Sequence, residues 1–151
     1  MGGLGVKVQH FPLTLLVVLT TLTLPCERDR PNNNTQVQRD ASGLWYSAEY
    51  SIFFIADETT KYQLLVIGYS GDAGDGLGNA QNMNWISTAM MFSTFDSDYD
   101  AAPSNCAVDM GGAWWYRRCS TSVLNRDVLG VWSSTDPGDE VKASRMLVKM
   151  N

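Results

Sequence analysis

Hydrophobic and polar positions divide the chain into stretches of different character. Residues 11–24 are apolar apart from threonines, with Lys7 ahead of them and Pro25 and Cys26 behind. A short apolar run behind a basic residue is the pattern of an export signal, and this run is shorter than the roughly 20 residues that span a bilayer. The expected arrangement is a signal peptide over residues 1–26, with no membrane span once it is cleaved. Residues 27–43 are polar, contain Asn32-Asn33-Asn34 and show no apolar period, which predicts a linker with no core of its own. From Trp45 onward the composition changes. Aromatic and β-branched residues fill 50–55 and again 62–69, as in buried strands. Over 70–79 four glycines alternate with aspartates, which demands a loop. Residues 83–95 are mildly apolar without a clean period, and 130–133 and 146–150 read as short closing strands. There is no internal repeat. Together these predict an irregular α+β or mostly β domain over residues 44–151.

Charge and composition narrow the function. A chain of 151 residues has room for one ordinary domain. Its formal charge is −5 and its Lys and Arg are scattered, whereas nucleic acid and anionic lipid both require clustered cations. The tightest basic pair, Arg117-Arg118, lies between aromatics and Cys119, where packing of the side-chain stems accounts for it. Gly74-Asp75-Gly76-Leu77-Gly78 breaks the dinucleotide-binding spacing, and its aspartates would repel phosphate. The one histidine, His10, falls in the export signal, so no Ser-His or Cys-His relay is expected in the mature chain. Cleavage after Cys26 leaves Cys106 and Cys119, an even count that favours a disulfide in an oxidising compartment; cleavage before it leaves one thiol over. Asn33-Asn34-Thr35 is a glycosylation sequon with Asn33 as acceptor.

Asp96-Ser97-Asp98-Tyr99-Asp100 sets three carboxylates at alternate positions, either converging oxygens on a hard cation such as calcium or forming a solvated acidic turn. An EF-hand is excluded, because its glycine and glutamate positions hold Ala101 and Ala107.

The residues around this loop carry a resemblance. Tyr69-Ser70-Gly71, Ala73-Gly74-Asp75, Phe92-Ser93-Thr94, Asp96 to Asp100, Asn105-Cys106-Ala107, Gly112-Ala113-Trp114-Trp115, Cys119 and Leu124-Asn125 occur in that order. The run resembles the fibrinogen C-terminal domains of fibrinogen, ficolins, tenascins and angiopoietins, closely from Tyr46 to Leu124 and loosely over the terminal strand. The resemblance implies a partial fibrinogen C-terminal domain of α+β class, an irregular antiparallel sheet plus a loop-rich calcium-binding subdomain with one disulfide. The family's N-terminal subdomain has no counterpart here, and a family segment is missing after about residue 125.

Carried over residue by residue, the resemblance implies calcium ligands at the Asp98 and Asp100 carboxylates and the Ala102 and Ser104 carbonyls, and a disulfide joining Cys106 and Cys119. It implies a ligand-pocket wall of Asp109, Met110, Trp115, Arg118, Cys119 and Ser120. The Trp114-Trp115 pair reads first as core packing against the disulfide. Ser120 stands where acetyl-binding members often have histidine. The implied function is that of a secreted, calcium-dependent, non-enzymatic recognition module. Its partners would be acetylated glycans or extracellular and cell-surface proteins. Two alternatives stand beside it: a matrix or receptor protein-binding module without lectin activity, and a truncated product that folds poorly because one layer is lost.

Overall fold

The two aromatic and β-branched runs pair with each other. In the computed structural model, which describes residues 33–38, 44–78, 82–127, 130–132 and 140–147, strands β2 (Tyr46–Ile55) and β3 (Leu64–Gly71) form an antiparallel hairpin. The predicted signal over 1–26, with His10 and Cys26, lies outside the described residues. A 3₁₀ turn at Glu58–Thr60 reverses the hairpin: the Asp57 side chain accepts from the Thr59 N–H, and Lys61 closes the turn at a φ of 57°.

Phe53 pairs with Val66 and Ile55 with Leu64 toward the core, while Ile52 with Ile67 and Phe54 with Leu65 face outward. The register holds through Ser51 and Gly68, yet the ladder lapses there and the facing of the side chains changes phase: Tyr50 is buried and Ile52 is not. Gly68 permits the change. Its φ is +74°, and a Cβ built on it would stand 2.0 Å from the Ser51 hydroxyl, which itself donates to the Ile67 carbonyl. The runs expected to be buried are therefore buried on one face only.

The segment 27–43 corrects the sequence reading. Within it, Asn33–Gln38 is a strand, β1, and it pairs antiparallel with β2 on one side and with Ala143–Leu147 (β8) on the other. The sheet order is β3-β2-β1-β8, so a stretch taken for a linker occupies an interior position. Backbone pairing on both edges outweighs the weak strand preference of asparagine and glutamine. The closing strand predicted over 146–150 begins earlier, at Ala143, because β8 is paired along β1 with Thr35 opposite Met146; residues 148–150 of that expectation lie outside the described residues.

Two smaller pairings complete the architecture of the described residues. Phe92–Ser93 (β4) pairs with Trp114–Trp115 (β5), and Gly130–Val131 (β6) with Glu140–Val141 (β7). Among the described residues a short helix, α1, covers Cys106–Asp109. The core runs from Tyr50, Leu64 and Val66 on the sheet to Phe92, Trp114, Trp115, Tyr116, Val123 and Trp132 in the loop-rich half. Trp115 Nε1 donates to the Tyr62 carbonyl at 2.7 Å and Trp132 Nε1 to the Gly74 carbonyl at 3.1 Å, whereas Trp114 Nε1 is buried without a hydrogen-bond partner among the described residues. After residue 125 the chain returns at once to this core, with Val123 and Val131 exchanging backbone hydrogen bonds of 2.8 and 2.9 Å.

Candidate functional site

The aspartate loop leaves β4 and runs into α1, and its carboxylates are spent unequally. Asp96 Oδ1 accepts from the Thr94 hydroxyl at 2.6 Å, a local turn contact. Asp98 is exposed and accepts from the Asp100 N–H at 3.1 Å. Asp100 is partly buried. Its Oδ1 accepts from the Ala102 N–H at 2.7 Å and its Oδ2 from the Cys106 N–H at 2.8 Å, so this one carboxylate holds the loop against the helix start.

Burial raises the Asp100 carboxyl above the ordinary carboxylate range; the Cys106 and Ala102 N–H groups pull it back, and the adjacent Asp98 charge raises it further. The carbonyls of Ala102 and Ser104 accept no hydrogen bond among the described residues. Two neighbouring carboxylates and, further along the same loop, two carbonyls without a hydrogen-bond donor are oxygen atoms of the kind that suits a hard cation. No group of three or more His, Cys, Asp or Glu among the described residues is disposed to hold a metal ion, so a cation here would depend on those backbone oxygens.

The expected disulfide is present. Cys106 and Cys119 are bonded, with Cα atoms 5.0 Å apart, and Cys106 opens α1. Asn105, which the sequence marked only as part of a motif, is the N-cap. Its Oδ1 accepts from the N–H groups of Ala107 and Val108, and its Nδ2 donates to the Thr94 carbonyl at 3.1 Å. Asparagine ahead of a short helical run is the local signal that could have identified it. The far side of the loop is tied by the Ala101 N–H, which donates to the Arg117 carbonyl at 2.6 Å.

The six residues expected to form a pocket wall divide into a surface set and an interior set. Asp109 is exposed and accepts from the Ser104 hydroxyl at 2.6 Å; Met110 is half-buried, and its carbonyl accepts from Arg126 Nε. Arg118 is exposed, with its N–H on the Asn84 carbonyl, and Cys119 sits beside it at a φ of 57°. Trp115, by contrast, is 1% exposed and packs edge-on against Phe92 and Trp114, with ring centroids 5.0 and 5.3 Å away. Ser120 is 4% exposed, and its hydroxyl donates to the Ser122 carbonyl and accepts from the Ser122 N–H. A loop the sequence did not single out, Asn84-Trp85, lies against Arg118 and Ser120. Asn33, the predicted glycosylation acceptor, opens β1 in register with Tyr50.

No helix among the described residues is long and apolar enough to cross a membrane. The chain is 36% identical over 118 residues to Protein scabrous of Drosophila melanogaster, covering 76% of this chain and 14% of that one. It is 41% identical over 78 residues to Tenascin-R of Rattus norvegicus, covering 52% of this chain and 5% of the relative. Among solved structures it superposes on the fibrinogen-like globe domain of human ANGPTL6 with a TM-score of 0.63 at 27% identity, over 80% of this chain and 59% of that one. It thus spans little more than half of the solved globe and a small part of the curated relatives. Residues 29–138, β1 included, match the C-terminal globular domain of fibrinogen beta and gamma chains, and the chain belongs to that family.

Proposed function

We propose that the chain is an exported, non-enzymatic recognition module whose aspartate loop is held by calcium and whose partner is an extracellular or cell-surface protein. The observation that carries this reading is the position of Asp100: partly buried, with the Asp98 charge beside it and two uncommitted carbonyls following in the same loop. Asp98, Asp100, Ala102 and Ser104 would hold the ion, which when bound supplies positive charge to a place where two carboxylates otherwise repel. The chain's own part is orientation. Asp100 ties the loop to α1 through the Cys106 N–H, and the disulfide fixes that helix start against Cys119. A protein partner is favoured over an acetylated glycan because the Ser120 hydroxyl is buried and engaged and Trp115 has no exposed face to offer a sugar ring. The apolar run over 11–24 supports export.

An ion that binds only the folded form stabilises it by about 2.7 kcal/mol at a hundredfold excess over its Kd. Chelation should therefore lower the melting temperature of the unmutated protein. Asp98→Ala should make the melting curve indifferent to chelator, since one of two charged ligands is lost. Asp96→Ala should keep the sensitivity, because Asp96 is occupied by Thr94. A folded, unmutated protein whose melting ignores chelator would sink the calcium reading, and retention on an acetylated resin with elution by free N-acetylglucosamine would restore the glycan one.

A further inference from the structure

Tyr99 stands inside the aspartate loop, and its hydroxyl takes no part in holding that loop together. Of the chain's six tyrosines it is the exposed one, at 40%; Tyr50, Tyr62 and Tyr116 are buried, and Tyr46 and Tyr69 are half-buried. The Tyr99 hydroxyl makes no hydrogen bond among the described residues, and the residue is held by its backbone, whose N–H donates to Ser93 Oγ at 3.0 Å. Asp98 and Asp100 flank it directly, with Asp96 three residues before it, and no other tyrosine of the chain has a carboxylate on both sides. Asp98 and Tyr99 belong to neither a strand nor a helix. Lys61 Nζ, at the end of the hairpin turn, lies 5.6 Å from the centroid of the Tyr99 ring.

We propose that Tyr99 is the acceptor of a sulfate ester, added in the secretory pathway by a transferase that uses an activated sulfate, the mixed anhydride of sulfate and a nucleotide phosphate. The inference rests on the export part of the function proposed above. The phenolic oxygen attacks sulfur and a new O–S bond forms. The bond from sulfur to the phosphate oxygen breaks, the nucleotide phosphate leaves with that electron pair, and the phenolic proton passes to a base of the transferase. A transferase that binds so anionic a donor carries cations around its site, and these attract an acceptor flanked by carboxylates. The other requirement is access. An unbonded hydroxyl on irregular backbone can enter a foreign site without breaking a ladder or uncovering the core. Tyr50 shows the contrast: it too has an acidic neighbour, Glu49, but it is 1% exposed and its hydroxyl is spent on Asp75. The ester on Tyr99 forms beside Lys61, whose ammonium offsets the charge added among three aspartates.

Expression of the full chain in cultured animal cells fed labelled inorganic sulfate tests this. Protein recovered from the medium should carry label that survives enzymatic removal of N-linked glycan, and chlorate, which blocks activation of sulfate, should abolish it. Mass spectrometry should place the ester on the peptide containing Tyr99, as a group lost as sulfur trioxide on collisional activation, with the other five tyrosines unmodified. Tyr99→Phe should be secreted equally and carry no glycan-independent label, because the hydroxyl it removes bonds to nothing in the fold. Secreted protein with an unmodified Tyr99 overturns this proposal and leaves export standing, whereas a chain absent from the medium, with residues 1–26 still attached, overturns both. Label that persists in Tyr99→Phe after glycan removal also overturns it. So does a group on Tyr99 that a phosphatase removes and chlorate does not affect, since the ester is then a phosphate.

Discussion

Tyr50 is the residue at which the sheet and the loop-rich half of the domain meet. Its hydroxyl donates to Asp75 Oδ1 at 2.8 Å and accepts from the Leu77 N–H at 3.2 Å, and its ring lies 5.9 Å from that of Tyr69. Burial, reinforced by the Asp75 charge, pushes the phenol far above its ordinary value of 10.0. Tyr116 is shifted the same way, burial outweighing the pull of Arg126. A folded pKa raised above the unfolded one contributes stability that is complete below the unfolded value. That stability is lost as pH climbs past about 10, at about 1.4 kcal/mol per pH unit for each such group. We therefore expect cooperative alkaline unfolding, with tyrosinate absorbance from these two rings appearing only as the fold is lost. A smooth titration of all tyrosines near their ordinary pKa, with circular dichroism unchanged, would contradict this.

At the scale of elements, Asn105 makes a helix too short to persist alone into a fixed part of the loop. One side-chain amide caps α1 through its oxygen and reaches the Thr94 carbonyl at the end of β4 through its nitrogen. Asn105→Ala should cost about 1–2 kcal/mol, the usual range for a lost cap. Asn105→Asp should fall between, since it keeps the acceptor and loses the donor. Urea midpoints ranking the alanine variant lowest and aspartate intermediate would bear this out, whereas equal midpoints for the aspartate variant and the unmutated protein would reduce Asn105 to a cap alone. Much of this region was legible in the sequence, because Asn105-Cys106-Ala107 and Gly112-Ala113-Trp114-Trp115 bring the disulfide and the aromatic core with them. The Trp114-Trp115 pair reads as core packing and is buried, but the burial of Ser120 was not legible, since a motif names a residue and not the direction in which it points. Nor was the outward half of the hairpin. A run such as Ile52 to Ile55, apolar at every position, carries no period from which one face can be assigned to solvent, and Gly68 changes the facing of the side chains without any change of register.

At the scale of the whole molecule, the sheet is joined by segments from distant parts of the sequence. Strand β1 reads as linker in the sequence because Asn-Asn-Thr-Gln-Val-Gln has neither the composition nor the strong alternation of an interior strand; only its two neighbours make it one. Gln36 pairs with Ser47 on one side and Arg145 on the other. Gln36→Pro should therefore cost about 3 kcal/mol or more, since proline has no N–H and is excluded from sheet interiors. An unchanged urea midpoint would return residues 33–38 to the role of linker. The pairing of Asn34 with Leu147 also has a consequence for synthesis. A ribosome adding about 5 to 20 residues per second needs roughly five to twenty seconds to travel from one partner to the other. Throughout that interval one edge of β1 is open to any other nascent strand. Its poverty in large apolar side chains, the property that hid it in the sequence, is what makes that waiting edge a poor template for aggregation.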